Sequence, residues 1–229
     1  LIDTVSYEDL IPGKEYTIRG ELRKKQDGSV IIGEDKQPVE SSVTFTPKTK
    51  SGTVQVQFEL DSSSLEGTSV VAFEYLMRGD TQVASHTKLE DDFQTVSFPH
   101  IGTTLSDEEG HHKVFANESI TLVDKVSYSN LIPDTRYDLD GILMDKVSGE
   151  PLKDGDGQEI HATTSFVPTE PSGSVDVEFT FLGSIAQGRV LVAFETLSRL
   201  GVDLITHADI NDVDQTVNIP HLRTELSDE

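Results

Sequence analysis

The chain contains no cysteine and no tryptophan, and only 7% of its residues are aromatic. Without cysteine there is no disulfide framework, no thiolate nucleophile and no Cys-ligated metal. Without tryptophan there is no carbohydrate platform built on indole rings. Cations are scarce as well: 18 Lys and Arg stand against 41 Asp and Glu, a formal charge of −23. So anionic a chain argues against nucleic-acid binding, which needs a cationic footprint, and against docking onto anionic lipid. No apolar run approaches the roughly 18 residues of a membrane span, and no signal peptide is visible. The chain starts at Leu1 rather than at a methionine, which predicts a fragment of something longer.

What is present is 229 residues, enough for two domains that each bury a core. Apolar residues make up 35%, with Val, Ile, Thr and Phe spread throughout, the composition of a β-rich globular chain. Sliding the sequence on itself by 121 residues, the spacing from His86 to His207, exposes a repeat. VSYEDLIPGKEYTIRGEL from Val5 falls on VSYSNLIPDTRYDLDGIL from Val126, Phe45 on Phe166, SGTVQVQFEL on SGSVDVEFTF, VVAFEYL on LVAFETL and QTVSFPHI on QTVNIPHL. The register holds without a gap for most of each copy. At the end of the chain, HLRTELSDE from His221 falls on HIGTTLSDE from His100, so Thr224 aligns with Thr103. The expected organisation is therefore a domain over 1–100 that lacks its first strand, a complete domain over 101–222, and over 223–229 the opening of a further copy.

VTFTP, TVQVQFEL, SVVAFEYL, QTVSFP and their second-copy counterparts alternate apolar with polar residues or form short buried runs, with Gly, Pro, Asp and Ser between them. No stretch shows a sustained helical period. Many short strands in about 120 residues predict an all-β fold, two tandem Greek-key β-sandwiches.

Four polar positions recur within these apolar segments: Asp3 and Asp124, Glu74 and Glu195, His86 and His207, Gln94 and Gln215. Glu74 and Glu195 are the most unexpected, because each ends an apolar run, VVAF or LVAF. A carboxylate there is costly unless hydrogen-bonded or protonated. Taken singly, each position also fits a plainer role: a surface histidine, a solvated strand-end glutamate, a polar residue opening a strand. Two duplicated copies would share such structural residues too. The acidic turn DGDGQE, Asp154 to Glu159, lacks the ligand series of a calcium loop. No metal or cofactor is expected.

The strings VAFE, THADINDVDQT and DKVSY…LIP…Y…G.LMDK resemble the T-Q ester-bond domains, also called VaFE repeats, of Gram-positive surface adhesins. The resemblance covers nearly all of both copies. It implies Ig-like, CnaB-like sandwiches, each carrying a covalent ester between a Thr on the first strand and a Gln on the last. The implied pair in the second copy is Thr103 and Gln215, with Asp124, Glu195 and His207 as helpers. Thr104 is the neighbour that competes with Thr103, but it aligns with Glu225 whereas Thr103 aligns with Thr224. In the first copy Asp3, Glu74, His86 and Gln94 match, and no donor Thr is found in the chain ahead of them.

The implied chemistry is coherent. Histidine is the side-chain type suited to taking a proton from a hydroxyl near neutrality. Two acids in a dry site cannot both ionise easily, so one keeps its proton and can polarise the Gln carbonyl. The reaction occurs once per molecule, so the protein is not expected to act on an external substrate. The resemblance further implies stalk modules of an extracellular, wall-anchored adhesin whose neighbours are other copies of the repeat. An exchange of strands between chains, with an ester from Thr224 of one to Gln94 of another, is a further expectation. The alternative reading is a host-ligand-binding adhesin domain. The gapless copies and few aromatics favour the stalk. A Lys–Asn isopeptide is disfavoured because Lys125 aligns with Thr4.

Overall fold

In the computed structural model, which describes residues 1–116 and 118–222, the chain divides after Phe98 into two compact units. The first runs through β1 (Ile2–Tyr7), β2 (Tyr16–Lys24), β3 (Glu40–Phe45), β4 (Gly52–Gln57), β5 (Ser69–Arg78), β6 (Thr81–His86) and β7 (Thr95–Ser97). The second runs through β8 (His100–Asp107), β9 (Ser119–Ser129), β10 (Tyr137–Asp145), β11 (His161–Phe166), β12 (Gly173–Leu182), β13 (Val190–Arg199), β14 (Val202–His207) and β15 (Thr216–Asn218). Among the described residues the only helical turns are three single 3-10 turns, and no helix is long and apolar enough to cross a membrane.

In the second unit the antiparallel sheet β12-β9-β8 packs against a sheet ordered β11-β10-β13-β14, with β15 lying along another stretch of β13. Alternation in the sequence decides which side chains enter the space between the sheets. Val177, Phe179 and Phe181 of β12 are buried at every second position, as are Leu122 and Val126 of β9, and they meet Leu139 and Leu143 of β10 and Leu191, Ala193 and Leu197 of β13. The corner before β10 is pinned by Tyr137, whose hydroxyl accepts the Ile132 N–H at 3.0 Å. The first unit repeats this plan with β3-β2-β5-β6, β7 along β5, and a facing pair of only two strands, β1 and β4. The fold is two tandem Ig-like β-sandwiches, as the strand pattern predicts.

Two local features set the register of the site. The hairpin from β13 to β14 turns on Leu200 and Gly201, both at positive φ, the two-residue turn that suits strand twist. A bulge between Leu197 and Ser198 then shifts the pairing. The same shift occurs at Leu76 and Met77 in the first unit. One expectation is corrected here: Gln94 and Gln215 do not open a strand. Gln94 ends a 3-10 turn, Asp92–Gln94, and Gln215 lies just before β15. In each case an aspartate side chain holds the turn, Asp91 accepting the Phe93 N–H and Asp212 the Asp214 N–H.

Candidate functional site

The site of the second unit is built from five strand or turn positions. On β9, Asp124 sits opposite Leu105 of β8 and opposite Val177 of β12. Thr103 sits opposite Val126, two residues further along β9 and so on the same inward face as Asp124. Thr103 is 7% exposed and Asp124 fully buried, whereas Thr104 points outward and is exposed. From the facing sheet, Glu195 of β13 is fully buried and pairs with His207 of β14. Directly opposed residues share a face, so the imidazole lies on the side of the buried carboxyl group. Gln215 is fully buried as well. It is brought to β8 by the Leu105 N–H, which donates to the carbonyl of Asp214 at 2.9 Å.

This is a dense set of polar groups in a dry place. Thr103 Oγ1, both oxygens of Asp124, both of Glu195, and the Gln215 oxygen and nitrogen are all buried without a hydrogen bond of normal geometry. Buried polar atoms are ordinarily paired, so seven unpaired ones on four neighbouring side chains mark this as an exceptional place among the described residues of the unit. Burial, followed by the Asp124 charge beside it, pushes the Glu195 carboxyl up to about 10. Burial also raises Asp124, to about 6, with Glu195, the Thr104 N–H, the Gln215 carboxamide and His207 holding the rise in check. At neutral pH Glu195 therefore keeps its proton and Asp124 carries the negative charge.

Two residues of the site are not apparent from residue type alone. The first is Asp212, whose Oδ2 lies 2.9 Å from His207 Nε2. Burial opposes its ionisation, but the His207 ring and the Asp214 and Gln215 N–H groups outweigh that, leaving the carboxyl below the usual range. Asp212 thus fixes His207 and the turn carrying Gln215 together. Its counterpart Asp91 does the same for His86, at 2.9 Å. The signal was available: Asp91 and Asp212 coincide in the repeat, inside a run of acids where nothing singled them out. The second is Gly141, opposite Glu195 on β10. A Cβ there would stand 2.6 Å from Glu195 Oε1 and 2.7 Å from Oε2, so the absence of a side chain makes room for the carboxyl group.

The first unit assembles the same side chains without a hydroxyl among them. Glu74 is 3% exposed and accepts a hydrogen bond from Gln94 Nε2 at 3.1 Å. Burial and the neighbouring Asp3 push Glu74 up to about 9. Asp3 is half-buried, however, where Asp124 is sealed, and His86 is exposed. Thr224 lies outside the described residues. Among the described residues no cluster of His, Asp and Glu is arranged to hold a metal ion.

The sequence model of the T-Q ester bond containing domain matches residues 1–98 and again 99–219. The chain belongs to this family. It is a tandem pair of T-Q domains. No curated protein matches it. A bacterial adhesin from Mobiluncus mulieris containing intramolecular disulfide, isopeptide and ester bond cross-links is similar at 16% identity and a TM-score of 0.45, over 55% of this chain and 58% of that one. A second crystal form of that adhesin gives 15% and 0.44, over 53% and 56%. The β-D-mannosidase of Dictyoglomus thermophilum is similar at 9% and 0.37, over 95% of this chain and 29% of its own. The chain thus spans little more than half the length of the adhesin it resembles.

Proposed function

We propose that the second T-Q domain joins Thr103 to Gln215 by an intramolecular ester, made once and without turnover, and that the chain is a stalk segment of a bacterial surface adhesin. The observation that carries this reading is the unpaired buried cluster of Thr103, Asp124, Glu195 and Gln215. His207, oriented by Asp212, takes the Thr103 hydroxyl proton as Oγ1 attacks the Gln215 carboxamide carbon. Protonated Glu195 donates to the amide oxygen and stabilises the tetrahedral oxyanion, and the Asp124 charge supports the imidazolium. The bond from carbon to nitrogen then breaks, His207 returns the proton to the leaving nitrogen, and ammonia departs. Folding supplies the proximity, which is worth effective molarities of roughly 10⁵ M or more, and burial keeps water from the product.

The mechanical consequence follows from the topology. The ester would tie β8 to the residue before β15, so that the first and last strands cannot peel apart under load. An extracellular setting, with wall anchoring through other parts of the protein, fits a chain that has no cysteine with which to make a disulfide tie. Intact-mass measurement tests the reading. The wild-type chain is expected to be lighter than its calculated mass by one ammonia for this bond, and Thr103→Ala to retain that ammonia. A wild-type mass with Gln215 intact would refute it.

A further inference from the structure

Of the groups that would react in the second unit, Gln215 has the least local support. Its side chain turns about three bonds, and it hangs from the turn before β15, a strand of only three residues. Attack by a hydroxyl needs the reacting atoms about 3–3.5 Å apart, and a misplacement of about 1 Å can cost 10²-fold. Whatever fixes this turn therefore bears on the rate. Asp212 fixes its entry: the carboxylate accepts the Asp214 N–H at 2.9 Å and the Gln215 N–H, and it holds His207. The exit is held by two side chains that the reaction as written does not use.

Successive side chains of an extended segment face opposite sides. Gln215 is buried, so Thr216 turns the other way, where it is half-buried. Its hydroxyl donates back across the turn to the Asp212 carbonyl. The same oxygen accepts from the Lys146 ammonium group at 3.1 Å. Lysine can only donate and a hydroxyl has a single proton, so the direction is fixed: Lys146 to Thr216 to the Asp212 carbonyl. Lys146 directly follows β10, and its own N–H donates to the Val190 carbonyl at 2.8 Å. The turn that carries Gln215 is thereby tied to the frame of β10 and β13, 70 residues back along the chain.

The first unit contains the same tie. Lys25 donates to the Thr95 hydroxyl at 3.1 Å, and that hydroxyl donates to the Asp91 carbonyl at 2.7 Å. These three residues coincide with Lys146, Thr216 and Asp212 in the repeat, although their neighbours differ: Gln26 stands against Val147, Asp92 against Val213 and Phe93 against Asp214. Ion pairing does not account for it. Lys25 also reaches Asp92, but Val213 takes that position in the second unit, and among the described residues Lys146 has no ion pair. A half-buried ammonium group spent on a neutral hydroxyl serves geometry rather than charge. Bonds from a charged donor are the stronger kind, and consecutive hydrogen bonds polarise one another.

We propose that Lys146 and Thr216 are positioning residues for the ester, acting as one unit that holds the Gln215 carboxamide carbon where Thr103 can reach it. The inference rests on the Thr103–Gln215 reading. The two residues act through the backbone from Asp212 to Thr216 rather than on the reacting atoms. With that backbone fixed at both ends, His207 and Gln215 keep a constant relation to one another while Thr103 is presented from β8.

A step in pH separates this role from folding. Chains refolded at about pH 5, below the Asp124 value of about 6, and then stepped to about pH 8 give the rate of ammonia loss from molecules already folded, read by intact mass. Thr216→Val, of nearly the same shape, is expected to slow that loss by about 10-fold or more, and Thr216→Ser, which keeps the hydroxyl, to recover most of it. Lys146→Met is expected to slow it as well. The double variant should be no slower than the worse single one, because both break one chain of bonds. Thr216→Val reacting at the wild-type rate would overturn the proposal, as would Thr216→Ser as slow as Thr216→Val, or single effects that multiply in the double variant. Hydrogen exchange in Thr103→Ala, which lacks the donor hydroxyl, reads the tie without the chemistry. Adding Thr216→Val there is expected to speed exchange of the Gln215 and Leu105 N–H groups by about 2- to 10-fold, the worth of one hydrogen bond, and to leave the amides of β12 alone. Equal acceleration throughout the unit would mean a general loss of stability and would overturn the positioning role. A wild-type chain that never loses the Gln215 ammonia would instead sink the ester reading beneath it.

Discussion

Glu195 and Asp124 show how burial assigns different states to two similar side chains. Burial raises both, but Glu195, the Thr104 N–H, the Gln215 carboxamide and His207 hold Asp124 down, whereas Asp124 and Asp140 push Glu195 further up. The proposed reaction needs the proton on Glu195 and the charge on Asp124. Below about 6 the Asp124 charge is lost, and above about 10 the Glu195 proton is lost. Refolding at a series of pH values, with ammonia loss followed by mass, should therefore give a bell-shaped rate. A second consequence concerns stability without the bond. In Thr103→Ala both acids bind protons in the folded state that the unfolded chain releases. Stability should then fall as pH rises out of the ordinary carboxylate range toward about 10, seen as a lower urea midpoint at about pH 9 than at about pH 5. Asp212→Asn, which removes the charge that orients His207, should slow cross-linking by about 10²-fold or more and leave the fold intact. Gly141→Ala would drive a methyl group into Glu195 and Phe179, an overpacking expected to cost about 1–3 kcal/mol.

At the scale of elements, β8 and the turn before β15 are the pieces on which the site depends. They come from opposite ends of the second unit and meet through the Leu105 N–H and the Asp214 carbonyl. The proposed ester, by closing so long a loop, would remove about 4–5 kcal/mol of unfolded-state entropy on the chain-closure model. Thr103→Ala should accordingly lower the melting temperature of the second unit by on the order of 10–20 °C in calorimetry. A separate tie holds the end of β10, where Asp145 pairs with Arg189 and accepts the Val147 and Ser148 N–H groups. Burial opposes the ionisation of Asp145, but these partners outweigh it and hold its carboxyl below the usual range. Its contribution is therefore present above the ordinary Asp value and lost as pH falls through the lowered one. Asp145→Ala should cost about 2 kcal/mol at neutral pH and progressively less in acid. The first unit has Lys24 and Thr68 at the equivalent positions, so this acid sensitivity belongs to the second unit alone.

At the scale of the whole molecule, the two units share a plan but not a core. Among the described residues, twenty buried apolar side chains form the cluster of the second unit and nine that of the first, a difference that follows from the strand beside β9 and the longer β12. Two unfolding transitions are expected in calorimetry, with the first unit melting lower. A Thr103→Ala variant should bring the transitions closer together, since the proposed ester would be lost from the second unit alone. A single transition unmoved by that substitution would contradict the division.

The sequence by itself determined the repeat, the all-β class, and the polar positions that recur inside apolar runs, because strand alternation and a buried carboxylate leave marks on neighbouring residues. It also separated Thr103 from Thr104 through the alignment with Thr224, and the alternation of β8 gives the physical reason, one hydroxyl facing inward and the other outward. Only the tertiary structure decided that Asp212 rather than any other acid of its run holds His207, that Gly141 makes room for Glu195, and that the Gln lies in a turn rather than in a strand. These depend on the bulge after Leu197 and on which residues stand opposite across paired strands. Such relations are set by the register of distant segments, and a one-residue slip would reverse them without changing any local pattern in the chain.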